Sequence, residues 1–115
     1  MRIVFTDRKI QKMFNSDCLL NKKFGKSIAT RIKQRMSELV AAETLQMVSH
    51  LPPPRCHKLE GNGCLFSVDV SGNMRLIFCP YGEFSVRDDN GIDLTSVKTI
   101  CIKEVRDTHD GKVRR

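Results

Sequence analysis

The spacing of apolar residues changes from helical to strand-like at a run of three prolines, residues 52–54. Before this run, apolar residues recur three or four positions apart, and after it they alternate with polar residues. Proline fixes φ and has no backbone N–H, so three in succession continue neither a helix nor a central strand. The chain is therefore predicted to place its helices before residue 52 and most of its strands after it.

The part before the prolines is predicted to hold one strand and then helices. "RIVFT", residues 2–6, is rich in strand-forming residues, and Asp7 is placed to cap the helix that follows. Helical spacing continues to about Phe24, with a break at residues 15–17. Ser27 is the predicted N-cap of the next helix, and a short helical piece is predicted at 44–48. The apolar stripe of that longer helix is Ile28, Ile32, Met36, Leu39 and Val40.

The part after the prolines is predicted to be a meander of strands. Residues 64–70 and 74–80 alternate in polarity and are joined by Ser71-Gly72-Asn73, which is typical of a hairpin. A brief strand at 84–86 and a last strand at 96–105 follow. The alternation puts these side chains on one face: Phe66, Val68, Val70, Met74, Leu76 and Phe78.

This order predicts an α+β fold in which N-terminal helices pack on one face of a small antiparallel sheet. The length of 115 residues fits a single domain, residues 1–115, with 110–115 as a flexible basic tail.

The charge balance indicates an anionic partner. The chain has 20 Lys and Arg against 13 Asp and Glu, a net charge of +7, and nucleic acid is the commonest partner for such an excess. No signal peptide is recognisable, and no run approaches the roughly 20 apolar residues that span a bilayer. The five cysteines are odd in number and irregularly spaced, which is typical of reduced thiols. The prediction is a cytoplasmic protein without a membrane partner.

The segment 51–63, "LPPPRCHKLEGNG", invites three chemical interpretations, of which two are disfavoured. Cys56 and Cys64 with His57 suggest zinc, but a structural zinc site needs four ligands, usually in two close pairs. Neighbouring ligands on a strand point to opposite faces, so no metal is predicted. A cysteine nucleophile with a histidine base is possible in principle, but nothing local resembles a known protease signature.

The third interpretation is cleavage of RNA through its 2′-hydroxyl. That reaction needs a base, cations that stabilise the phosphate, and an acid. The candidate residues are Arg55, His57, Lys58, Arg75 and His109. Arg75 stands out because its strand neighbours face the other way, so its side chain requires a partner or a groove. An ion pair with Asp69 across the hairpin explains Arg75 equally well, and for His57 alone a structural role is favoured.

Three stretches in this order carry a family resemblance: "LPPPRCHKLEGNG", "FSVDVSGNMRLIF" and "GIDLTSVKTICIKEVRDTH". They resemble the RelE/ParE toxin superfamily, specifically the HigB-like branch known as the plasmid maintenance system killer. The resemblance runs through essentially the whole chain and implies a compact RelE-like fold. It also implies the toxin of a type II toxin–antitoxin system, an mRNA interferase that enters the ribosome, cuts mRNA and thereby inhibits translation. Such toxins use no metal or other cofactor. A helix-turn-helix antitoxin binds them, and operator DNA is bound only by that complex.

The resemblance also implies roles for individual residues. By position, Arg75 matches the strand arginine that holds the scissile phosphate. Asp107 and His109 match a C-terminal Asp-Tyr-His element, in which the histidine is the acid or base. Arg55, His57 and Lys58 match the "RCH" segment and are the expected substrate-binding residues.

Two positions depart from the family pattern. Gly61-Asn62-Gly63-Cys64 stands where many relatives have a basic Gly-Asp-Arg-Lys-Gly turn, and Thr108 stands where they have tyrosine. These departures leave two alternatives to the nuclease open. One is a non-enzymatic toxin of the ParE type, which binds DNA gyrase, and the other is a remnant that only binds its antitoxin.

Overall fold

The computed structural model describes residues 1–59, 64–89 and 91–107, which form three α-helices, two short 3-10 helices and five strands. In chain order the elements are β1 (Arg2–Phe5), α1 (Arg8–Phe14), α2 (Asp17–Phe24), α3 (Lys26–Ala41), a 3-10 helix (Leu45–Met47), β2 (His57–Lys58), β3 (Phe66–Asp69), β4 (Met74–Pro80), a second 3-10 helix (Leu94–Ser96) and β5 (Thr99–Asp107). The α+β class is thus confirmed. The predicted tail at 110–115 lies outside the described residues.

Side-chain caps and one glycine set the ends of the helices. The Asp7 carboxylate accepts a hydrogen bond from the Ile10 N–H at 2.9 Å, which confirms the predicted cap of α1. The predicted cap at Ser27 is wrong, because α3 already begins at Lys26 and its cap position is Gly25. Gly25 has a φ of 85°, which glycine adopts without a Cβ clash. No described helix has both the length and the apolar character needed to cross a membrane.

The five strands form one sheet in the order β1-β5-β4-β3-β2. The pairs β2–β3, β3–β4 and β4–β5 are antiparallel. The pair β1–β5 is parallel, with Ile3 opposite Ile100. The prediction of an antiparallel sheet is therefore wrong at this edge, and the sheet is mixed. Alternating polarity identifies a strand but carries no information on the direction of its partner. The helices between β1 and β2 let the first strand join the far edge, beside the last one.

The hydrophobic core lies between the helices and one face of the sheet, called here the inner face. Its buried sheet residues are Phe66, Val68, Val70, Leu76, Phe78, Ile100 and Ile102. This confirms the predicted alternation, except that Met74 is only partly buried. On α3 the predicted apolar stripe is wrong at Val40, which is 56% exposed. Ala29, which is not part of the predicted stripe, is fully buried. The opposite side of the sheet is called here the outer face.

Candidate functional site

Charged side chains cross the outer face in one line over three strands. Asp69 on β3 is opposite Arg75 on β4, and Arg75 is opposite Arg106 on β5. Residues directly opposite each other in a sheet project to the same face, so the three side chains are neighbours. Glu104 and Arg55 join them at the two ends. We call these five residues the charge row: Arg55, Asp69, Arg75, Glu104 and Arg106.

The carboxylate of Asp69 is shared by two arginines. Arg55 donates from Nε to Oδ2 at 2.7 Å and from Nη2 to Oδ1 at 3.2 Å, which is a bidentate contact. Arg75 donates from Nη1 to Oδ1 of the same carboxylate. The hydrogen bond with Asp69 and its negative charge raise the pKa of Arg55 above its ordinary value. The predicted ion pair between Arg75 and Asp69 is therefore present, and Arg55 belongs to it.

The backbone of Asp69 is held as firmly as its side chain. Its carbonyl accepts a hydrogen bond from Nε of Arg35 on α3 at 2.8 Å, and Arg35 is buried. Its N–H donates to the carbonyl of Pro54 at 2.7 Å. This bond ties the end of the proline run to the end of β3. The prolines therefore place Arg55 beside Asp69, and the backbone of Arg55 adopts a left-handed φ of 46°, unusual for a residue with a side chain.

The second ion pair of the charge row lies on β5. Nη2 of Arg106 donates to Oε2 of Glu104 at 2.7 Å. The side chains of Arg106 and Arg55 are 39% and 40% exposed, whereas that of Arg75 is 20% exposed. Three guanidinium groups face two carboxylates, so the charge row has one net positive charge. Such a surface suits an anion. The anion could contact the more exposed Arg55 and Arg106, and also the N–H groups of Arg75 that do not bind Asp69.

A β-bulge decides that Glu104 and Arg106 belong to the outer face. The register shifts between Ile77 and Phe78, where Ile77 is opposite Glu104 but Phe78 is opposite Ile102. The extra residue on β5 is Lys103. Strict alternation from Ile102 would have turned Glu104 and Arg106 to the inner face. Reasoning from the sequence missed both residues for this reason, since a bulge depends on the partner strand and leaves no clear local signal.

His57 and Lys58 lie apart from the centre of the charge row. His57 is opposite Ser67, its Nδ1 is 3.1 Å from the carbonyl oxygen of Arg55, and its ring is half-buried. Lys58 is exposed and follows His57 on β2, so their side chains project to opposite faces of the sheet. Both line a cleft of about 610 Å³ at the β2 edge of the sheet. Of the three predicted substrate-binding residues, the structure brings only Arg55 into contact with the group that binds Arg75.

The same cleft contains a charged loop. Its lining includes His50, Arg87 and Asp93. Arg87 donates to the carboxylate of Asp89 at 3.2 and 3.4 Å. The Gly91 N–H and the Arg87 guanidinium lower the pKa of Asp89. The positive charge of Arg87 is therefore largely compensated within its own loop.

The C-terminal catalytic prediction is only partly covered by the structure. Asp107 is the last residue of β5, and its carboxylate accepts a hydrogen bond from Nδ2 of Asn73 at 3.0 Å. That bond links the end of β5 to the turn between β3 and β4. His109 and Thr108 lie outside the described residues, as do Gly61, Asn62 and Gly63 of the predicted turn.

The cysteines and histidines of the described residues do not assemble into a metal site. No group of three or more His, Cys, Asp or Glu side chains with suitable geometry occurs within residues 1–59, 64–89 and 91–107. Cys56 is buried with the core, and burial raises the pKa of its thiol to about 11. Cys64 is exposed. The two cysteines of the suspected zinc motif therefore occupy different environments.

Part of the outer face is itself buried. Ser67 and Ile77, which are opposite each other, are 0% and 1% exposed. The hydroxyl of Ser67 has no hydrogen-bond partner among the described residues. The polar part of the outer face is therefore concentrated at the end that carries the charge row.

No protein-family model matches the sequence, and no curated protein or solved structure is significantly similar to the chain. The fold and the site define a small α+β protein with an arginine-rich sheet face. The basis for a functional assignment is that face together with the motifs of the sequence.

Proposed function

We propose that this protein is the toxin of a type II toxin–antitoxin pair and acts in the cytoplasm as an endoribonuclease on mRNA at the ribosome. The observation that carries the proposal is the charge row, in which Arg75 lies between Asp69 and Arg106 on the outer face. The resemblance of the motifs to the HigB-like branch of the RelE/ParE superfamily supplies the reaction. Helices followed by a strand meander are compatible with the RelE-like fold that the resemblance implies.

In this proposal the charge row binds the RNA backbone. Cleavage through the 2′-hydroxyl builds up negative charge on the phosphate, and preorganised cationic donors stabilise that charge. Arg75 uses one of its five N–H donors to bind Asp69. The guanidinium is thereby oriented, and its other N–H groups can reach a phosphate. Arg75 is assigned to the scissile phosphate. Arg55 and Arg106, which are more exposed, are assigned to the neighbouring phosphates.

Proton transfer is assigned to the C-terminal element. His109 is the proposed acid or base. Asp107, two positions before His109 in the sequence, is bound by Asn73, which holds the end of β5. His57 and Lys58 line the cleft at the sheet edge and are assigned to the nucleotides next to the cleaved bond. The proposal includes no metal and no other cofactor.

The helical side of the molecule offers a surface for the antitoxin. A groove of about 670 Å³ lies between α1 and α2, with Ile10, Met13 and Leu19 in its apolar lining. Its other lining residues are Lys9, Lys12, Lys22 and Lys23. None of these lysines forms an ion pair within the described part of the chain. An acidic, amphipathic segment of a helix-turn-helix antitoxin complements this groove, and operator DNA would be bound only by the resulting complex.

The ion pairs of Asp69 also favour a second candidate. A carboxylate that binds two arginines gives Arg55 and Arg75 a structural role without any substrate. The second candidate is therefore a non-enzymatic toxin of the ParE type, which binds a protein target such as DNA gyrase.

The test is induced expression in a bacterial host, followed by primer extension on abundant transcripts. The variants are Arg75→Ala and, as a control, Arg31→Ala, which removes an exposed arginine on α3. The nuclease proposal predicts new RNA ends inside translated frames for the wild type and Arg31→Ala, and none for Arg75→Ala. Growth arrest without new ends would contradict it in favour of the gyrase-binding candidate. Neither arrest nor new ends would indicate a remnant that only binds its antitoxin.

A further inference from the structure

Two cysteines lie directly opposite each other on the two central strands. Cys79 of β4 is the register partner of Cys101 of β5, and both project to the outer face. The Tyr81 N–H donates to the Thr99 carbonyl at 2.9 Å, so that pair is a hydrogen-bonded one. Pairs alternate along an antiparallel ladder, which makes Cys79 and Cys101 a hydrogen-bonded pair as well. Between these two pairs, Pro80 is opposite Ile100 in a pair that is not hydrogen-bonded. Pro80 has no N–H, and this position requires none for the pairing with β5.

The spacing of such a pair suits a disulfide. Opposite residues of a hydrogen-bonded pair have Cα atoms about 5.5 Å apart, and disulfides span Cα separations of about 4.4–6.8 Å. Both cysteines are free, and the Cys101 thiol donates to the carbonyl of Ile102 at 4.0 Å. Their Cβ atoms, at about 4.5–5.5 Å, are somewhat farther apart than in a relaxed disulfide, so closure must draw the strands together slightly. A bond formed under such tension is readily reduced.

The surroundings of the two thiols differ. Cys101 is 4% exposed, whereas Cys79 is only partly buried and can be reached from solvent. Burial raises the pKa of Cys79, and the nearby Lys103 ammonium opposes that effect. Cys64, which is exposed, also lies within electrostatic range of Cys79. Cys79 is therefore the thiol that meets a reagent first, with Cys101 beside it to react next.

We propose that Cys79 and Cys101 form an oxidation site that takes a hydroperoxide as its substrate and closes a reversible disulfide between β4 and β5. In the first step the Cys79 thiolate attacks the peroxide, whose O–O bond breaks. Cys79 becomes a sulfenic acid, and the other oxygen leaves as an alcohol, or as water when the oxidant is hydrogen peroxide. In the second step the Cys101 sulfur displaces the sulfenic oxygen, which leaves as water. Two thiols are oxidised, and one peroxide is reduced by two electrons.

The disulfide would join the strands that carry the charge row. Arg75 lies on β4 and Arg106 on β5, so a covalent link between these strands restricts the part of the sheet on which both arginines are placed. The oxidation site does not depend on the proposed nuclease function, because it rests on the strand register and the two thiols alone.

The test treats the reduced, full-length protein with hydrogen peroxide and follows its intact mass and its non-reduced peptides. We expect the loss of two hydrogens, a crosslinked peptide pair containing Cys79 and Cys101, and full reversal by dithiothreitol. The rate is expected to rise with pH through the neutral range, because the raised pKa of Cys79 leaves little thiolate at neutral pH. The variant Cys64→Ser should form the same link at the same rate.

Three results with the wild-type protein would overturn the proposal. They are a link from Cys79 to Cys64, over-oxidation of Cys79 without any link, and oxidation of Cys79 no faster than that of buried Cys56. The variant Cys101→Ser should leave Cys79 as a sulfenic acid that dimedone traps, and absence of the dimedone adduct would also contradict it. The wild-type experiment requires no substitution, so the test does not depend on the folding of that variant.

Discussion

Asp69 is bound by three arginines, through two different parts of the residue. Arg55 and Arg75 bind its carboxylate, and Arg35 binds its backbone carbonyl. The residue therefore connects α3, the segment after the prolines and the hairpin of β3 and β4. Its side chain is 23% exposed, so its ion pairs are screened less by solvent than those of a fully exposed carboxylate.

Asp69→Asn is expected to destabilise the fold. The amide keeps an acceptor but loses the negative charge, which leaves Arg55 and Arg75 close together without their counter-ion. A cost of about 1.5–3 kcal/mol in the free energy of unfolding is expected, typical of hydrogen bonds to charged groups. Urea unfolding measures it. Asp89→Asn is the matched control, since Asp89 pairs with one arginine in an exposed loop where solvent screens the pair, and its cost should be clearly smaller. Equal costs for both variants would contradict the role of Asp69.

Cys56 is expected to be much less reactive than Cys18 and Cys64 towards alkylation in the folded protein. Its pKa of about 11 leaves only about a thousandth of it as thiolate at pH 8, and its side chain is buried. Peptide mass spectrometry after brief iodoacetamide treatment should find Cys18 and Cys64, which are exposed, labelled first. In urea the three should label at similar rates. Early labelling of Cys56 in the folded protein would show that its environment differs from the one described.

At the scale of elements, the local sequence pattern predicted the helices, strands and buried faces better than it predicted which strands pair. The change of period at residues 52–54 separated helices from strands correctly, and the faces of β3 and β4 followed from alternation, with Phe66 and Phe78 in the core. The parallel pairing of β1, the bulge at Lys103 and the approach of Arg55 to Asp69 were not predictable. Each depends on a partner far away in sequence, and the local residue pattern carries no information about that partner.

The cap of α1 is an element whose energy can be measured directly. Asp7→Ala removes the acceptor for the Ile10 N–H and is expected to cost about 1 kcal/mol of stability. Thermal unfolding is the measurement. Asp88→Ala, which removes an exposed carboxylate from a loop, is the control and should leave the melting temperature nearly unchanged. A similar loss for both would mean that the charge, and not the cap, is responsible.

At the scale of the whole molecule, the charge of +7 is distributed over both sides of the fold. Four lysines line the groove between α1 and α2, and three arginines lie in the charge row on the outer face. Two basic surfaces on opposite sides allow two partners at once. The proposal assigns RNA to the outer face and the antitoxin to the groove.

The salt dependence of RNA binding separates these two surfaces. If Arg55, Arg75 and Arg106 each contact a phosphate, the logarithm of the affinity for a single-stranded RNA should fall with the logarithm of salt with a slope of about −2. Fluorescence anisotropy of a labelled oligonucleotide measures this slope. Arg106→Ala should make it shallower by about 0.7, and Lys22→Ala, in the groove, should leave it unchanged. A slope that responds to Lys22 and not to Arg106 would place the RNA on the helical side.

The most direct test of the central claim is the rate of mRNA cleavage in a purified translation mixture, compared between Arg75→Ala and His57→Ala. If Arg75 stabilises the scissile phosphate, its loss should slow cleavage by about 10²–10³-fold, the usual effect of removing such a donor. His57→Ala should slow it less, because His57 lies at the sheet edge against the Arg55 carbonyl. Equal effects, or a larger effect of His57→Ala, would contradict the assignment of the phosphate to Arg75.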